Sequence, residues 1–467
     1  MTKTIRHVAF LVVLAFAVVS ADLVYWQVIR APELAQRPGN PRAAQAQQEI
    51  DRGQIVDRHG AVLARSVRGQ SGFSRQYTTP DLSPLIGYSS ARFGQTGIEK
   101  SYNDQLSGSA GDLEQALTEL LLERPRAGDT LTLSIDTKLQ QVADQALGDA
   151  AGAAILMKPQ TGEILAMASK PFFDANRLET DMPQLQNNAT APLVERASQG
   201  LYPPGSVFKL LTVSALLASG VAQPDTRINQ LGDTFVVDGF TVRGSNQPRG
   251  LSNPTLTQAA QYSCNPCFAQ LGLQLGWQRL EQAAEAFGIG KPIRFDVPVS
   301  TSRLHDPGAE LSRVLLANTA YGQGQLAVTP LQIALITAAI ANGGNTPQPH
   351  VVIRQTTRAG QGVADFGGGS LGTPIDGRVA GEVRQMMVEV VEHGSGQLAR
   401  IPNVQVAGKT GTAETGSGAP DAWFTAFAPA NQPRYLVTVI REHKGEGFDQ
   451  AAPMARTILE SALGSND

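Results

Sequence analysis

The chain opens on a long apolar run. After "MTKTIRH", residues Val8 to Ala21 are apolar or small, and apolarity resumes as "LVYWQVI" up to Ile29. At helical rise the stretch Val8–Ile29 spans about 33 Å, enough for a bilayer core. Tyr25 and Trp26 stand where an interfacial aromatic belt would sit, and Lys3 and Arg6 precede the run. A secretory signal is the competing reading, because "VSA" before Asp22 fits a small-residue cleavage site. The apolarity that continues beyond Asp22 favours an uncleaved anchor. Positive charges before it put a short tail in the cytoplasm and the rest of the chain outside.

Residues 31–50 are rich in Pro, Ala and Gln and read as a tether or an exposed helix. "RGQIVDRHGAVLARS" alternates in β fashion about the turn "DRHG", which predicts a hairpin. The segment up to about residue 130 reads as loop-rich, ending in an apolar helix around Leu117–Leu122. "TLTLSI" then predicts a strand, and "DTKLQQVADQAL" a helix capped by Asp136. "GAAILMKPQTGEILAMAS" holds two β runs about a Pro-Gln-Thr-Gly turn. Helical patterning dominates from about 205 to 345. Strands return in "VQVAGKTGTAE", "AWFTAFAP" and "YLVTVIRE", before a helix near Gln450–Leu463. Strands from both ends with helices between them predict one antiparallel sheet flanked by helices, an α+β domain. The organisation expected is a tail and anchor over 1–29, a small accessory region over 30–130, and a main domain over 131–467.

One residue breaks this pattern. From Val207 to Ala218 apolar residues fall on every face of a predicted helix, yet Lys209 sits in its first turn. Lysine is almost never fully buried without a partner, and the helix macrodipole disfavours a cation at that end. Ser206 lies three positions earlier, on the same face. A serine hydroxyl is a poor nucleophile until a base takes its proton. A lysine near its reference pKa of ~10.4 is too protonated to serve, but burial and a nearby cation can lower that by ~3 units. The pressures that make Lys209 a bad structural choice make it a usable base. Of the nine lysines in the chain, Lys209 alone has serine three residues before it. The preceding "PPG" forces a sharp entry, so that Ser206 opens the helix with an unpaired backbone N–H fit for an oxyanion hole.

Composition narrows the field. With 467 residues and 42% hydrophobic positions, the chain can build a large core. A net charge of −3 leaves no electrostatic footprint for nucleic acid. The six histidines are scattered without metal-ligand spacing, so neither a metal nor a cofactor is expected. The two cysteines, Cys264 and Cys267 in "SCNPC", lack a surrounding thioredoxin-like pattern and read as small apolar fillers, bonded or not.

Two further elements carry chemistry. In "YSCNP", Asn265 followed by Pro266 makes a good N-cap and N1 pair for the next helix. The functional alternative puts the Ser263 hydroxyl in a proton relay with Lys209, and the Asn265 amide against a substrate amide. "GKTGTAE" is not a phosphate-binding loop, because that motif needs glycine where Asn403 stands. Either it is an ordinary hairpin with a surface lysine, or it is an edge strand along which a peptide lies. On the second reading Lys409 and Thr410 receive a carboxylate, Gly411 permits close backbone approach, and the Thr412 N–H is a second oxyanion donor. Lys409 is then also the cation that depresses the pKa of Lys209.

In the order S-x-x-K, S-x-N, K-T-G the three elements form a specific set. The sequence resembles the monofunctional (class B) penicillin-binding proteins, the peptidoglycan D,D-transpeptidases, most closely the smaller actinobacterial-type members. "RGQIVDRHGAVLA", "GIEKSYNDQLSG", "YPPGSVFK", "YGQGQLAVTPLQIA" and "GKTGTAE" all match family blocks. The resemblance implies the serine β-lactamase-like transpeptidase fold, with a pedestal and an anchor. It implies Ser206 as the acylated nucleophile, Lys209 as its base and Ser263 as relay to the leaving D-alanine. Asn265, Lys409, Thr410 and Thr412 would hold the donor peptide. The partners implied are peptidoglycan stem peptides, β-lactam antibiotics and a polytopic membrane glycan polymerase.

Three rivals share some of these features. A class A β-lactamase needs a deacylating glutamate, and no E-x-x-L-N pattern follows Asn265. A bifunctional wall synthase needs a glycosyltransferase domain, and about 100 residues between anchor and main domain are too few. A β-lactam sensor or a division scaffold is the non-enzymatic alternative, and a scaffold has no need to keep Ser206, Lys209 and Lys409 together.

Overall fold

The computed structural model describes residues 2–30, 49–70, 72–109, 127–229, 232–244, 252–416 and 418–465. The helix expected around Leu117–Leu122 and nearly all of the Pro/Ala/Gln-rich segment lie outside these. The first described segment is helical from Thr2 to Val24 and continues as a wider turn over Tyr25–Ile29. Within it Ile5–Gln27 is long and apolar enough to cross a membrane, by length and composition.

The main sheet has five antiparallel strands. Their spatial order is Ala407–Ala413, Asp421–Ala428, Tyr435–Arg441, Gly152–Met157 and Ile164–Lys170. Both faces are covered, which is why the strands read as nearly continuous apolar runs. Along Gly152–Met157 the buried side chains alternate: Ala153, Ile155 and Met157 join the larger core, while Ala154 and Leu156 join the smaller. The smaller core is closed by helices Thr137–Leu147 and Ala452–Gly464. Asp136 caps the first of these, accepting from the backbone N–H of Lys138 and Leu139. The larger core holds the helices Lys209–Ala218 and Pro330–Ala341 and the inner face of Gly377–His393. All twelve residues of Pro330–Ala341 are buried, so its apolar character all round is that of a central helix.

The accessory region is more regular than its sequence suggests. Ile55–Val56 and Val62–Gly69 form the hairpin expected about "DRHG", and Gly72–Tyr77 adds a third strand that the loop-rich reading missed. Polar residues on its exposed face hid its alternation. The strand Thr130–Leu133 pairs in parallel with Ile55–Val56 and antiparallel with Val352–Thr356, and Gly362–Asp365 closes the six-stranded sheet. This sheet therefore draws strands from either side of residue 131. Two of the sequence blocks meet beneath it. Arg52 donates to Glu99 Oε2 at 2.8 Å from Nη2, and Arg75 Nε donates to Glu99 Oε1 at 2.6 Å. Burial pushes the Glu99 carboxyl up, but the two guanidinium groups outweigh it and hold the group below its ordinary value. Asp57 ties this region to the main domain: it accepts from the N–H of His59 and Ala61 in its own turn, and from the Thr137 hydroxyl at 2.8 Å.

Candidate active site

The entry to the Lys209 helix is held from several sides. Trp423 donates from its indole nitrogen to the carbonyl of Pro203 at 3.0 Å, and Tyr202 stacks edge-on against the same indole. Tyr202 and Val328 exchange both backbone hydrogen bonds. Gly205 has φ +54°, and a Cβ built there would stand 2.3 Å from the carbonyl oxygen of Thr412. The turn thus presses against the edge strand Ala407–Ala413, and only glycine fits. A single 3₁₀ turn, Gly205–Phe208, then hands over to the α-helix at Lys209. Gly205→Ala is expected to slow acylation by penicillin at least ~100-fold, since displacing Ser206 by about 1 Å has that cost. Stopped-flow acylation kinetics check it.

Lys209 is 1% exposed and its amine has four polar neighbours. These are Ser206 Oγ at 2.8 Å, Ser263 Oγ at 3.0 Å, the Ser263 carbonyl at 2.8 Å and Asn265 Oδ1 at 2.6 Å. The last two can only accept. A neutral amine has two N–H groups and one lone pair. The two acceptors consume the N–H groups, which leaves the lone pair facing the two serine hydroxyls.

Ser263 adopts φ +58°, a left-handed conformation that costs a non-glycine residue about 1–2 kcal/mol. It is fixed by backbone hydrogen bonds from Ser263 to Ala260 and from Cys264 to Ala259. The cap expected at Asn265 belongs instead to Cys264, whose sulfur accepts from the Cys267 N–H at 3.1 Å. Asn265 and Pro266 are the first two helical residues, so the Asn265 side chain is free of capping duty. Its Nδ2 donates to the Arg243 carbonyl at 3.3 Å, which turns Oδ1 towards Lys209. Cys264 and Cys267 are fully buried, as fillers would be, and they are joined in a disulfide.

"GKTGTAE" lies on the open edge of the sheet. Lys409 is 1% exposed, and its amine donates to Ser263 Oγ and to the Thr410 carbonyl, both at 3.0 Å. Thr410 exchanges a 2.7 Å hydrogen bond with Ser395. Gly411 has a reason that the sequence did not reveal: a Cβ there would stand 2.9 Å from Trp423 Cβ and 3.0 Å from the Pro204 carbonyl and from Val207, so the neighbouring strand and the turn before Lys209 take the space. The Thr412 hydroxyl donates to Glu446 at 2.6 Å. Ser206, Ser263, Asn265, Thr410, Gly411 and Thr412 all line one cleft of about 450 Å³.

Both amines back onto apolar side chains, among them Leu210, Val213, Met386 and Val390. Burial accordingly pushes the pKa of Lys209 well below its ordinary value, and the charge of Lys409 pushes it further. Burial lowers Lys409 as well, to about 7. Both amines reach the Ser263 hydroxyl, at 3.0 Å each, and Lys209 is the one whose pKa is lowered by its neighbour's charge as well as by burial.

A hydroxyl and a buried amine one turn apart, with a second buried amine on an adjoining edge strand, is the arrangement that the three motifs call for. The comparisons with known proteins give the family. Residues 152–460 match the penicillin binding protein transpeptidase domain, and residues 52–131 the penicillin binding protein A dimerisation domain. The chain belongs to the class B penicillin-binding proteins. It is 32% identical to the peptidoglycan D,D-transpeptidase PbpA of Mycobacterium tuberculosis, over 99% of both chains. Among solved structures it is similar to the imipenem acyl-enzyme of penicillin-binding protein A from that organism. There the TM-score is 0.83 and the identity 32%, covering 89% of this chain and all of the other. A D,D-transpeptidase domain from Eggerthella lenta is similar at TM-score 0.80 and 35% identity, covering 89% and 98%.

This penicillin-binding protein has cleft residues that the motifs did not disclose. The strand Phe240–Arg243, paired in a hairpin with Thr234–Val237, forms one wall. Its Asp238-Gly239 turn has φ of 47° and 83°, a two-residue turn of the primed kind, so the dipeptide was the available signal. Asn318 and Tyr321 enter the wall from the end of helix Arg313–Ala320. Glu446 joins it with nothing in its sequence context to mark it, as does Glu414, the last residue of "GKTGTAE", to which the motif reading gave no role.

Proposed function

We propose that Ser206 is the acylated nucleophile of peptidoglycan transpeptidation and that neutral Lys209 takes its proton. The observation that carries this is the hydrogen-bond arithmetic at Lys209: two obligate acceptors leave one lone pair for the two serine hydroxyls, of which Ser206 is the nearer at 2.8 Å. Ser206 attacks the penultimate D-Ala carbonyl of a stem pentapeptide. The carbonyl oxygen becomes an oxyanion held by the N–H groups of Ser206 and Thr412. As the peptide bond breaks, the leaving D-alanine takes a proton from Lys209 by way of the Ser263 hydroxyl. An amine of a neighbouring stem then displaces Ser206 from the ester and forms the cross-link. Charged Lys409 and Thr410 receive the donor carboxylate, Asn265 its amide, and Gly411 lets the strand close against the nucleophile turn. A β-lactam enters as a mimic of the donor and leaves Ser206 blocked.

The helix Ile5–Gln27 supports a single-pass anchor in the bacterial cell membrane, with the catalytic domain outside. The chain has no glycan-polymerising site of its own on this reading, so a membrane glycan polymerase supplies the strands that it links. The test is intact mass after incubation of the full chain in detergent with fluorescent penicillin. One adduct per chain, outlasting acylation by hours, is the expected result. Rapid regeneration of free protein would replace the transpeptidase reading with that of a β-lactamase.

A further inference from the structure

Three charged side chains line the cleft: Arg243, Glu414 and Glu446. Arg243 and Glu414 are exposed, whereas Glu446 is half-buried beside the nucleophile turn. Its Oε2 accepts from Thr412 Oγ1 at 2.6 Å, and the Thr412 carbonyl is the group against which Gly205, next to Ser206, is packed. Glu446 also lacks the usual structural uses of a carboxylate. It occupies the N-cap position of the short helix Gly447–Gln450, yet its side chain makes no cap hydrogen bond. Among the described residues no Lys, Arg or His stands within ion-pair distance of it. A carboxylate held half out of water without a cation, at the edge of an acyl-transfer site, is an electrostatic feature looking for a positive group.

The acyl-transfer reading, on which this inference rests, supplies one. The donor half of the substrate is anionic and is drawn by Lys409. The acceptor is an amine, and an alkylamine is an ammonium ion at neutral pH. It must approach a centre behind which the charged amine of Lys409 is buried, on the far side of the Ser263 hydroxyl, and that charge repels it. We infer that Glu446 is the docking group for the acceptor ammonium, so that the second half-reaction selects a cationic amine. The ammonium gives one proton to Glu446, which passes it to water. The amine nitrogen then forms the C–N bond as the acyl C–Oγ bond breaks. Ser206 Oγ regains a proton from that nitrogen through Lys209. Thr412 orients the carboxylate by its hydroxyl, and Glu414 adds negative potential at the cleft mouth.

The experiment is a competition at the acyl-enzyme. The full chain in detergent is acylated with a thioester analogue of the stem-peptide donor. Aminolysis is then followed at pH 8 with two acceptors: Nα-acetyl-lysine amide, which is charged, and hydroxylamine, which is not. Glu446→Gln is expected to lower kcat/KM for the charged acceptor about tenfold more than for hydroxylamine, mostly through KM. Glu446→Asp should recover part of that difference, and thermal melting checks that both variants fold. Equal losses for the two acceptors would overturn the inference, because Glu446 would then act only through Thr412. So would an unchanged ratio, or a wild type that uses hydroxylamine and not the charged amine. A wild type that forms no acyl-enzyme would instead overturn the acyl-transfer reading itself.

Discussion

Ser206→Ala is expected to abolish covalent labelling by fluorescent penicillin, with no adduct in the intact mass even after prolonged exposure. The cleft offers one rival nucleophile, Ser263, whose hydroxyl lies 3.0 Å from the same amine. Ser263 is only 4% exposed and its hydroxyl also accepts from Lys409 at 3.0 Å, which makes it the poorer nucleophile. Ser206 is the more open of the two and stands at the helix N-terminus beside its own unpaired N–H. Removing its hydroxyl takes one neighbour from Lys209 and leaves the other three, so the melting temperature should shift by no more than about 2 °C. Loss of labelling without loss of folding is therefore the signature. Labelling that survives, mapped to Ser263 by peptide mass, would move the nucleophile to the other end of the relay.

How much of this was legible in the sequence depends on the range of the forces involved. Lys209 was legible because it violates a local rule, a cation in the first turn of an apolar helix, and such violations collect where chemistry is done. The five-stranded sheet was legible in outline because both of its faces are covered, so its strands carry β runs without polar interruption. Gly72–Tyr77 was not, since its burial pattern is mostly half-exposed and leaves no clean period. The sharing of one sheet between Ile55–Val56 and Val352–Thr356 could not be read: both pair with Thr130–Leu133, and pairing between segments so far apart in sequence leaves no trace in either. Of the two readings of Asn265, the cap fails for a related reason. Asparagine before proline is a good cap on local propensity, but Cys264 reached the position one residue earlier, and Lys209 and Arg243 claimed the amide. Glu446 was silent altogether: a carboxylate in "KGEGFD" reads as loop until Gly447 is seen packed on the edge strand, where a Cβ would stand 2.2 Å from the Gly411 carbonyl.

Lys209→Met should slow acylation by about ten-thousandfold while keeping the fold, the upper end of what a positioned base contributes. Methionine has nearly the length of lysine and suits the apolar wall of Leu210, Val213 and Met386. The pH dependence gives the sharper test. In the wild type, kcat/KM for acylation should rise as Lys209 loses its proton and fall as Lys409 loses its own, near the value of about 7 to which burial lowers it. The variant's residual activity should lose the acid limb and keep the falling one. Stability should move in a fixed direction too. The unfolded chain holds a proton on residue 209 up to pH ~10.4, whereas the buried amine releases it well below that. Between the two values the unfolded state binds more protons, so this residue makes wild-type stability fall as pH is lowered from about 10 towards neutrality. Methionine has no proton to bind in either state and removes that slope. The difference in melting temperature should therefore shift in favour of the variant as pH is lowered through that window, as differential scanning calorimetry would record. A pH-independent difference would mean that Lys209 stays charged in the folded protein, and a charged Lys209 has no lone pair to offer Ser206.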